Sequence, residues 1–184
     1  MVLKMIDLYN EYCKTYKLTE ENSDGFFDCV KDVFFTDEVQ SLQQYEQHLD
    51  IDRLQHITSV AYLTYRICKE LGLDYKTASE CACMHDLVYY DWRDGVNGAW
   101  HKNHGYKHPN YACLNAAELC SCKLTKLQDD IIRHHMWPLT VVPPKSKEAF
   151  VVTFADKYCA TREVLYSVNK KYREKFLKDV EGSK

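Results

Sequence analysis

The adjacent residues His85 and Asp86 constrain the fold of this chain more than any other feature of its sequence. They follow a small, mostly apolar run, Ala78–Met84, which is typical of the inner face of a buried helix. A charged carboxylate is costly to bury unless it is paired or binds a metal. Asp86 could instead end a helix and bond to its neighbour, because a His-Asp dipeptide is common by chance. The choice depends on whether other metal-binding side chains converge on this pair.

The first such side chain is His56, within a helix predicted for residues 52–71. Apolar residues lie on two faces of this helix, which indicates burial near the centre of the domain. His56 therefore points into the interior. A lone buried histidine is more often a satisfied core residue than a ligand, but a second set of ligands reverses that interpretation. Gly72 ends the helix, and Asp74 caps the next one.

The next helix carries Ala78, Cys81 and His85 on one face, at helical spacing. Its small side chains allow close packing against the helix of His56. The two histidines can then meet at one metal.

Two further helices bring three more candidates to the interior. A helix that begins at Thr125 places His134 and His135 with its apolar stripe. Ser146 caps a long final helix, on whose inner face Asp156 lies among small and apolar residues. A buried, unpaired carboxylate would be neutral or would require a cation.

The segment 91–107 contains three glycines and is long for a connection within a compact domain, which is typical of a lid or a binding loop. Trp92 and Arg93 could stack on or grip a substrate there. Equally, the tryptophans of this segment could pack the loop onto the core. A helix is predicted to follow at residues 109–121, with Pro109 in its first turn.

The rest of the chain also predicts helices, at residues 2–17 and from Thr36 to Gln47, with a turn at Asn22–Gly25 between them. His48 is assigned to the surface or the core. The lysine-rich residues 168–184 are expected to fray.

No run combines strand-like composition with alternation, so we predict an all-α fold. The length suggests a single domain over residues 1–184. Its ligand-bearing core would cover about residues 50–165, with the helices of residues 1–49 packed on it.

The composition argues against several classes of function. The formal net charge is −3 and no basic block occurs, which argues against a protein that coats nucleic acid. We recognise neither a signal peptide nor a run long enough to span a membrane. The nine cysteines are odd in number and form no Cys-x-x-Cys, which favours reduced thiols. We therefore expect a cytoplasmic protein.

The candidate ligands occur in a characteristic order: His56, His85-Asp86, His108-Pro109, His134-His135 and Asp156-Lys157. Over about residues 50–165 this order resembles the HD-domain superfamily of metal-dependent phosphohydrolases, whose fold is a helical bundle. The motif runs through His108-Pro109, so His101 and His104 are not taken as ligands.

The multi-histidine form is similar to the HD-GYP branch, which carries a bimetal centre. After the His-Asp pair that branch has glycine and lysine, whereas this chain has Leu87-Val88-Tyr89-Tyr90. This departure argues against the hydrolysis of cyclic dinucleotides. The segment His135–Thr140 resembles a small bacterial HD subfamily.

The resemblance implies two divalent transition-metal ions that share Asp86. The first would be bound by His56, His85, Asp86 and Asp156, and the second by His108, His134 and His135. Such ligands suit iron, manganese, cobalt, nickel or zinc. Adjacent residues lie about 100° apart around a helix, so one histidine of the pair can miss the metal. In that event His135 is the ligand and His134 orients a ligand or a bound water.

In this scheme a metal-activated water attacks a small phosphate ester such as a nucleotide. Asp86 positions the water, while Arg53 and Lys157 hold the substrate phosphate, together with Arg93. Each of these cations is more often a solvated surface residue. Arg53 is the strongest candidate, because it lies three residues before His56 on the same helix face. Trp92 would contact the substrate beside Arg93.

Two other functions fit the sequence. Some HD-domain proteins are di-iron oxygenases with a closely similar ligand set, and oxygen-dependent turnover would identify one. A non-catalytic nucleotide-binding regulatory domain is the third hypothesis. The full set of ligands argues against it.

Overall fold

The computed structural model describes residues 7–48, 50–92 and 103–182. These residues form nine α-helices and one short antiparallel pair of strands, which confirms the predicted all-α class. The helices are α1 (Leu8–Lys14), α2 (Phe26–Phe34), α3 (Asp37–Gln40), α4 (Arg53–Leu71), α5 (Tyr75–Met84), α6 (His104–Leu119), α7 (Lys126–His134), α8 (Lys147–Val168) and α9 (Lys170–Gly182). The strands are β1 (Glu46–His48) and β2 (Ile51–Asp52).

Helix α4 lies at the centre of the bundle and packs against α5 and α8. Asp52 caps it by accepting a hydrogen bond from the Gln55 amide (2.8 Å). Gly72 ends it with a φ of +66°, a left-handed conformation that glycine adopts without strain. Residues on both predicted apolar faces are buried, among them Ile57 and Val60. The predicted central helix is therefore confirmed.

Helix α5 presents His85 and Asp86 to the interior. Asp74 caps it by accepting a hydrogen bond from the Thr77 amide (3.1 Å), as predicted. Ala78 is fully buried on the face that packs against its neighbours. Because this face carries small side chains, α4 and α5 can approach closely. His85 follows at the C-terminal cap of α5.

The helix predicted to run from Thr36 to Gln47 is shorter than expected. Thr36 caps α3, but α3 ends at Gln40 and a 3-10 turn follows. The next residues form β1, which pairs with β2 directly in front of α4. The Arg53 amide also donates a hydrogen bond to the Tyr45 carbonyl (2.8 Å). This tertiary pairing outweighs the local helix propensity.

Helix α6 begins at His104 rather than at residue 109, so Pro109 lies inside the helix and not in its first turn. Proline has no amide hydrogen and cannot make the usual bond to the carbonyl of Gly105. Packing against the segment after α7 favours the additional helical turn before Pro109. A Cβ on Gly105 would lie 2.6 Å from Leu139 Cδ2, so glycine lets this turn contact the segment after α7.

The C-terminal residues 170–182 form helix α9, although we predicted that they would fray. Phe176 anchors this helix, because its buried ring packs against Tyr12 and Tyr16 of the N-terminal region and against Tyr166 of α8. The packing of Phe176, together with that of Tyr172 and Val180, outweighs the high lysine content of this helix. No helix in the described part of the chain is long and apolar enough to cross a membrane. The nine cysteines, all among the described residues, are unpaired.

Candidate metal centre

Four buried histidines turn the same ring nitrogen inward. The Nδ1 atoms of His85, His108 and His135 donate hydrogen bonds to backbone carbonyls, at 2.7, 2.9 and 2.8 Å. The Nδ1 of His56 donates to the carboxylate of Glu163 (2.8 Å). These acceptors can only accept, so in the neutral form each ring carries its proton on Nδ1. Each Nε2 lone pair is then free to bind a metal.

The inward nitrogens of His56 and His85 are buried and make no hydrogen bond. They lie 3.2 and 3.8 Å from Oδ1 of Asp156, without hydrogen-bond geometry. A buried polar atom without a partner is costly, and few occur in folded proteins. A cation among these three side chains would satisfy all of them.

The two oxygens of Asp86 face different pairs of histidines. Its Oδ2 lies 4.0 Å from Nε2 of His56 and 3.7 Å from Nε2 of His85. Its Oδ1 lies 3.1 Å from Nε2 of His108 and 3.7 Å from Nε2 of His135. Each oxygen thus faces a different group, as a carboxylate shared by two metal ions would.

The two histidines on the second side face each other. The Nε2 atoms of His108 and His135 lie only 2.9 Å apart. Burial lowers the pKa of His135 well below its usual value of 6.5, and the neighbouring His108 lowers it further. His135 is therefore neutral at pH 7 and presents a lone pair to His108.

Both carboxylates of the cluster are ionised. Burial opposes the ionisation of Asp86, but His85 and His108 hold its pKa well below the usual 3.8. Burial likewise opposes the ionisation of Asp156, and the Lys157 ammonium lowers its pKa. Burial disfavours a charge on His56, yet Glu163 and Asp156 raise its pKa well above 6.5. A metal that binds Nε2 of His56 would therefore displace a proton from this ring.

The donor set suits metal ions. Within the described residues, groups of His, Asp and Glu with ligand atoms within 4.8 Å of one another include the triads His56–His85–Asp86, His85–His135–Asp156 and Asp86–His108–His135. Imidazole nitrogens mixed with carboxylate oxygens suit iron, manganese, cobalt, nickel or zinc. The structure thus brings together six of the seven predicted ligands: His56, His85, Asp86, His108, His135 and Asp156.

The seventh predicted ligand, His134, points away from the cluster. Its Nδ1 donates a hydrogen bond to Asp130 (2.8 Å), four residues earlier on α7. The rotation of about 100° per helical residue places His135 inside and His134 at the edge. The expectation that both histidines face inward is therefore wrong. His134 instead orients Asp130, which accepts hydrogen bonds from the amide and the hydroxyl of Ser146 at the start of α8 (2.8 and 2.7 Å).

Arg53 is not the phosphate-binding residue that its position in the sequence suggested. It is buried, and its guanidinium donates hydrogen bonds to the carbonyls of Val88 (2.6 Å) and Tyr90 (3.2 Å). Its Nε donates to Oε1 of Gln47 (2.9 Å). Gln47 in turn donates from Nε2 to Oδ2 of Asp86 (2.7 Å). Arg53 therefore positions the central carboxylate through Gln47.

A cavity of about 270 Å³ opens onto the cluster. Lys157 lines it, with its ammonium 2.5 Å from Asp156 and 3.3 Å from the His135 carbonyl. Trp92 also lines it and stacks on the ring of His104. His104 itself stacks on His108, at 4.5 Å between ring centroids. Arg93 and His101 lie outside the described residues.

Sequence reasoning missed three residues of this site. Gln47 and His48 line the cavity from β1, which the sequence did not predict. Glu163 supports His56 from α8. The sequence spacing could have indicated Glu163. It follows Asp156 by seven residues, about two helical turns, and so lies on the same helix face. No sequence feature indicated Gln47, because it lay within the helix predicted from Thr36 to Gln47.

Comparison with known proteins gives one match. The family model described as HD domain matches residues 53–161, more than half of the chain. No curated protein and no solved structure matches. The matched segment contains all six converging residues, whereas Gln47, His48 and Glu163 lie outside it.

Proposed function

Because the chain belongs to the HD-domain family, we propose that it is a metal-dependent phosphohydrolase that acts on a small phosphate ester such as a nucleotide. The observation that carries this proposal is the position of Asp86. Its two oxygens face two different pairs of buried histidines. Four of the six residues, Asp86, His108, His135 and Asp156, line a cavity that admits a small molecule.

The ligands divide between two sites in this proposal. His56, His85 and Asp156 would hold the first metal, His108 and His135 the second, and Asp86 would bind both. When bound, the metals lower the pKa of a water molecule and polarise a phosphoryl oxygen.

The protein itself contributes orientation. The backbone carbonyls and Glu163 fix the imidazole rings, so the ligands need little reorganisation when they bind metal. Gln47 holds Asp86 in one orientation.

Lys157 is the cation best placed to bind the substrate phosphate. Its side chain is 38% exposed at the cavity, while Asp156 and the His135 carbonyl hold the ammonium in place. A fixed cation near the metal ligands favours an anionic substrate group. Trp92 and Met136 supply apolar walls, against which the organic part of an ester can pack.

A di-iron oxygenase is the second candidate. The donor set has four imidazoles and two carboxylates around one shared aspartate, and such a set also suits iron. Consumption of oxygen during turnover distinguishes this function from hydrolysis.

The experiment starts from metal-depleted protein reloaded with each of the five candidate metals. Phosphate release is measured over a panel of nucleotides and sugar phosphates, with an oxygen electrode in parallel. We expect phosphate release that depends on metal and consumes no oxygen. Release that is absent with every metal, or turnover that requires oxygen, would contradict the proposal.

Similarity to the HD-GYP branch, and to a subfamily with the segment His135–Thr140, stays a prediction. We also propose that the chain is one domain. One hydrophobic cluster contains Tyr12 of α1, Ile57 of α4 and Phe176 of α9, which supports this proposal.

A further inference from the structure

We propose that Glu163 is a positioning residue that makes the first metal site bind more tightly than the second. This inference rests on the proposed metal centre, but it concerns a residue outside the segment that matches the HD-domain family. Glu163 is fully buried on α8, and its Oε2 accepts the hydrogen bond from Nδ1 of His56 (2.8 Å).

The first argument is the difference between the acceptors. His85, His108 and His135 donate their Nδ1 hydrogen bonds to neutral backbone carbonyls. Among the four inward histidines, only His56 donates to a carboxylate. A hydrogen bond to an ionised acceptor is about twice as strong as a neutral one. It also makes the opposite nitrogen a stronger metal ligand.

The second argument is charge. The first group of ligands contains Asp156 and shares Asp86, and Glu163 adds a third carboxylate directly behind His56. Two of these carboxylates lie around the proposed metal position itself, and the third lies one imidazole away. The second group contains His108 and His135, whose Nδ1 atoms donate to neutral carbonyls. Its only carboxylate is the shared Asp86. A divalent cation is therefore compensated more fully at the first position.

The third argument is the cost of Glu163 itself. It is fully buried, and its Oε1 has no hydrogen-bond partner. Burying a carboxylate with one free oxygen is unfavourable unless nearby positive charge compensates it. His48 does not satisfy this oxygen, because its Nε2 lies 3.7 Å from the other carboxylate oxygen, Oε2. A metal bound to the far side of His56 would place a divalent charge one imidazole away from this carboxylate.

A purely structural role for Glu163 makes a different prediction. As a simple ion pair with His56, it would stabilise the folded chain and leave the metal affinities unchanged. The test must therefore measure metal binding, which requires no substrate. Its outcome is independent of whether phosphate is released, so failure of this inference and failure of the proposed function can be told apart.

The experiment compares Glu163→Gln with wild-type protein and with Glu148→Gln. Glu148 is a matched control, because it lies in the first turn of α8, where it accepts a hydrogen bond from the Asp74 amide, far along the helix from Glu163. Metal-depleted protein is titrated with cobalt against a chromophoric chelator, and circular dichroism reports folding. We expect Glu163→Gln to weaken the tighter binding step by about 10–100-fold. The weaker step and the Glu148→Gln control should stay unchanged.

If Glu163→Gln does not fold, a second pair of variants tests whether the first site binds metal more tightly than the second. His108→Ala leaves the first site, and His85→Ala leaves the second. We expect His108→Ala to retain the tight step and His85→Ala to retain only the weak one. Equal affinities in these two variants, or an unchanged tight step in folded Glu163→Gln, would overturn the inference.

Discussion

The Nε2 atoms of His108 and His135 lie 2.9 Å apart, although both rings donate their Nδ1 protons to backbone carbonyls. When both rings are neutral, two lone pairs face each other in a buried place, whereas a protonated His108 would donate a hydrogen bond to His135. A cation that binds both nitrogens removes this repulsion and contacts Oδ1 of Asp86, which lies 3.1 Å from His108. This geometry is the strongest argument for a second metal.

The two adjacent histidines should behave differently when removed. His135→Ala should lower the metal content from two ions per chain to one, because the second site loses one of its two imidazoles. His134→Ala should retain two, because His134 bonds to Asp130 and lies outside the cluster. Elemental analysis of dialysed protein measures both. Equal loss in the two variants would show that the assignment of these side chains is wrong.

Asp86→Ala should abolish turnover while the fold survives. The variant removes the carboxylate that both histidine groups share, but it leaves the hydrophobic core intact. Phosphate release should fall below detection, and circular dichroism should match wild-type protein. Asp129→Ala is the control, because that carboxylate is half-exposed on α7 and pairs with Arg133. Hydrolysis by Asp86→Ala near the wild-type rate would refute the proposed mechanism.

Substitutions of Arg53 and Lys157 should have different effects, the first mainly on the free energy of unfolding and the second mainly on substrate binding. Arg53→Met leaves the Val88 and Tyr90 carbonyls and Gln47 without their donor. Each buried group left unpaired costs about 1–3 kcal/mol, so the free energy of unfolding should fall clearly. Lys157→Met should instead raise KM more than it lowers kcat. In metal-loaded protein its loss of stability should be smaller than that of Arg53→Met, because the metal also compensates Asp156. Urea unfolding and steady-state kinetics test the pair, and the reverse pattern would contradict our assignment.

The sequence was most informative where the signal was local. The caps Thr36, Asp74 and Ser146 each act within one helical turn of their own position, and the structure confirms all three. The apolar periodicity around His56 likewise predicted burial correctly. The convergence of six candidate ligands followed from helix faces and from the order of residues.

The missed features depend on contacts between distant segments. Arg53 lies on the predicted face, but only the carbonyls of Val88 and Tyr90 show that its guanidinium is fully engaged. Gln47 reaches Asp86 because β1 pairs with β2, and no local pattern indicates a pairing of such short strands. Helix α9 packs through Phe176 onto rings of the N-terminal region, which lie far away in the sequence.

Asp130 should make stability depend on pH. Burial raises its pKa, but hydrogen bonds from Ser146 and His134 outweigh that effect and hold the pKa below 3.8. A depressed folded-state pKa means that the stabilisation is complete above the unfolded-state pKa and is lost as the pH falls through the folded-state pKa. Asp130→Asn should therefore melt about 2–4 °C or more below wild-type protein at pH 7. The difference should shrink below about pH 4. Melting curves from pH 7 to pH 3 measure it, and a constant difference would contradict the assigned role of Asp130.

The most direct test of the two-metal centre is anomalous scattering from crystals grown with excess manganese or iron. We expect two peaks on opposite sides of Asp86. One should lie about 2.0–2.2 Å from the ligand atoms of His56, His85 and Asp156, and the other at similar distances from those of His108 and His135. A single fully occupied peak, with His108 and His135 turned away from it and from any second ion, would contradict the account.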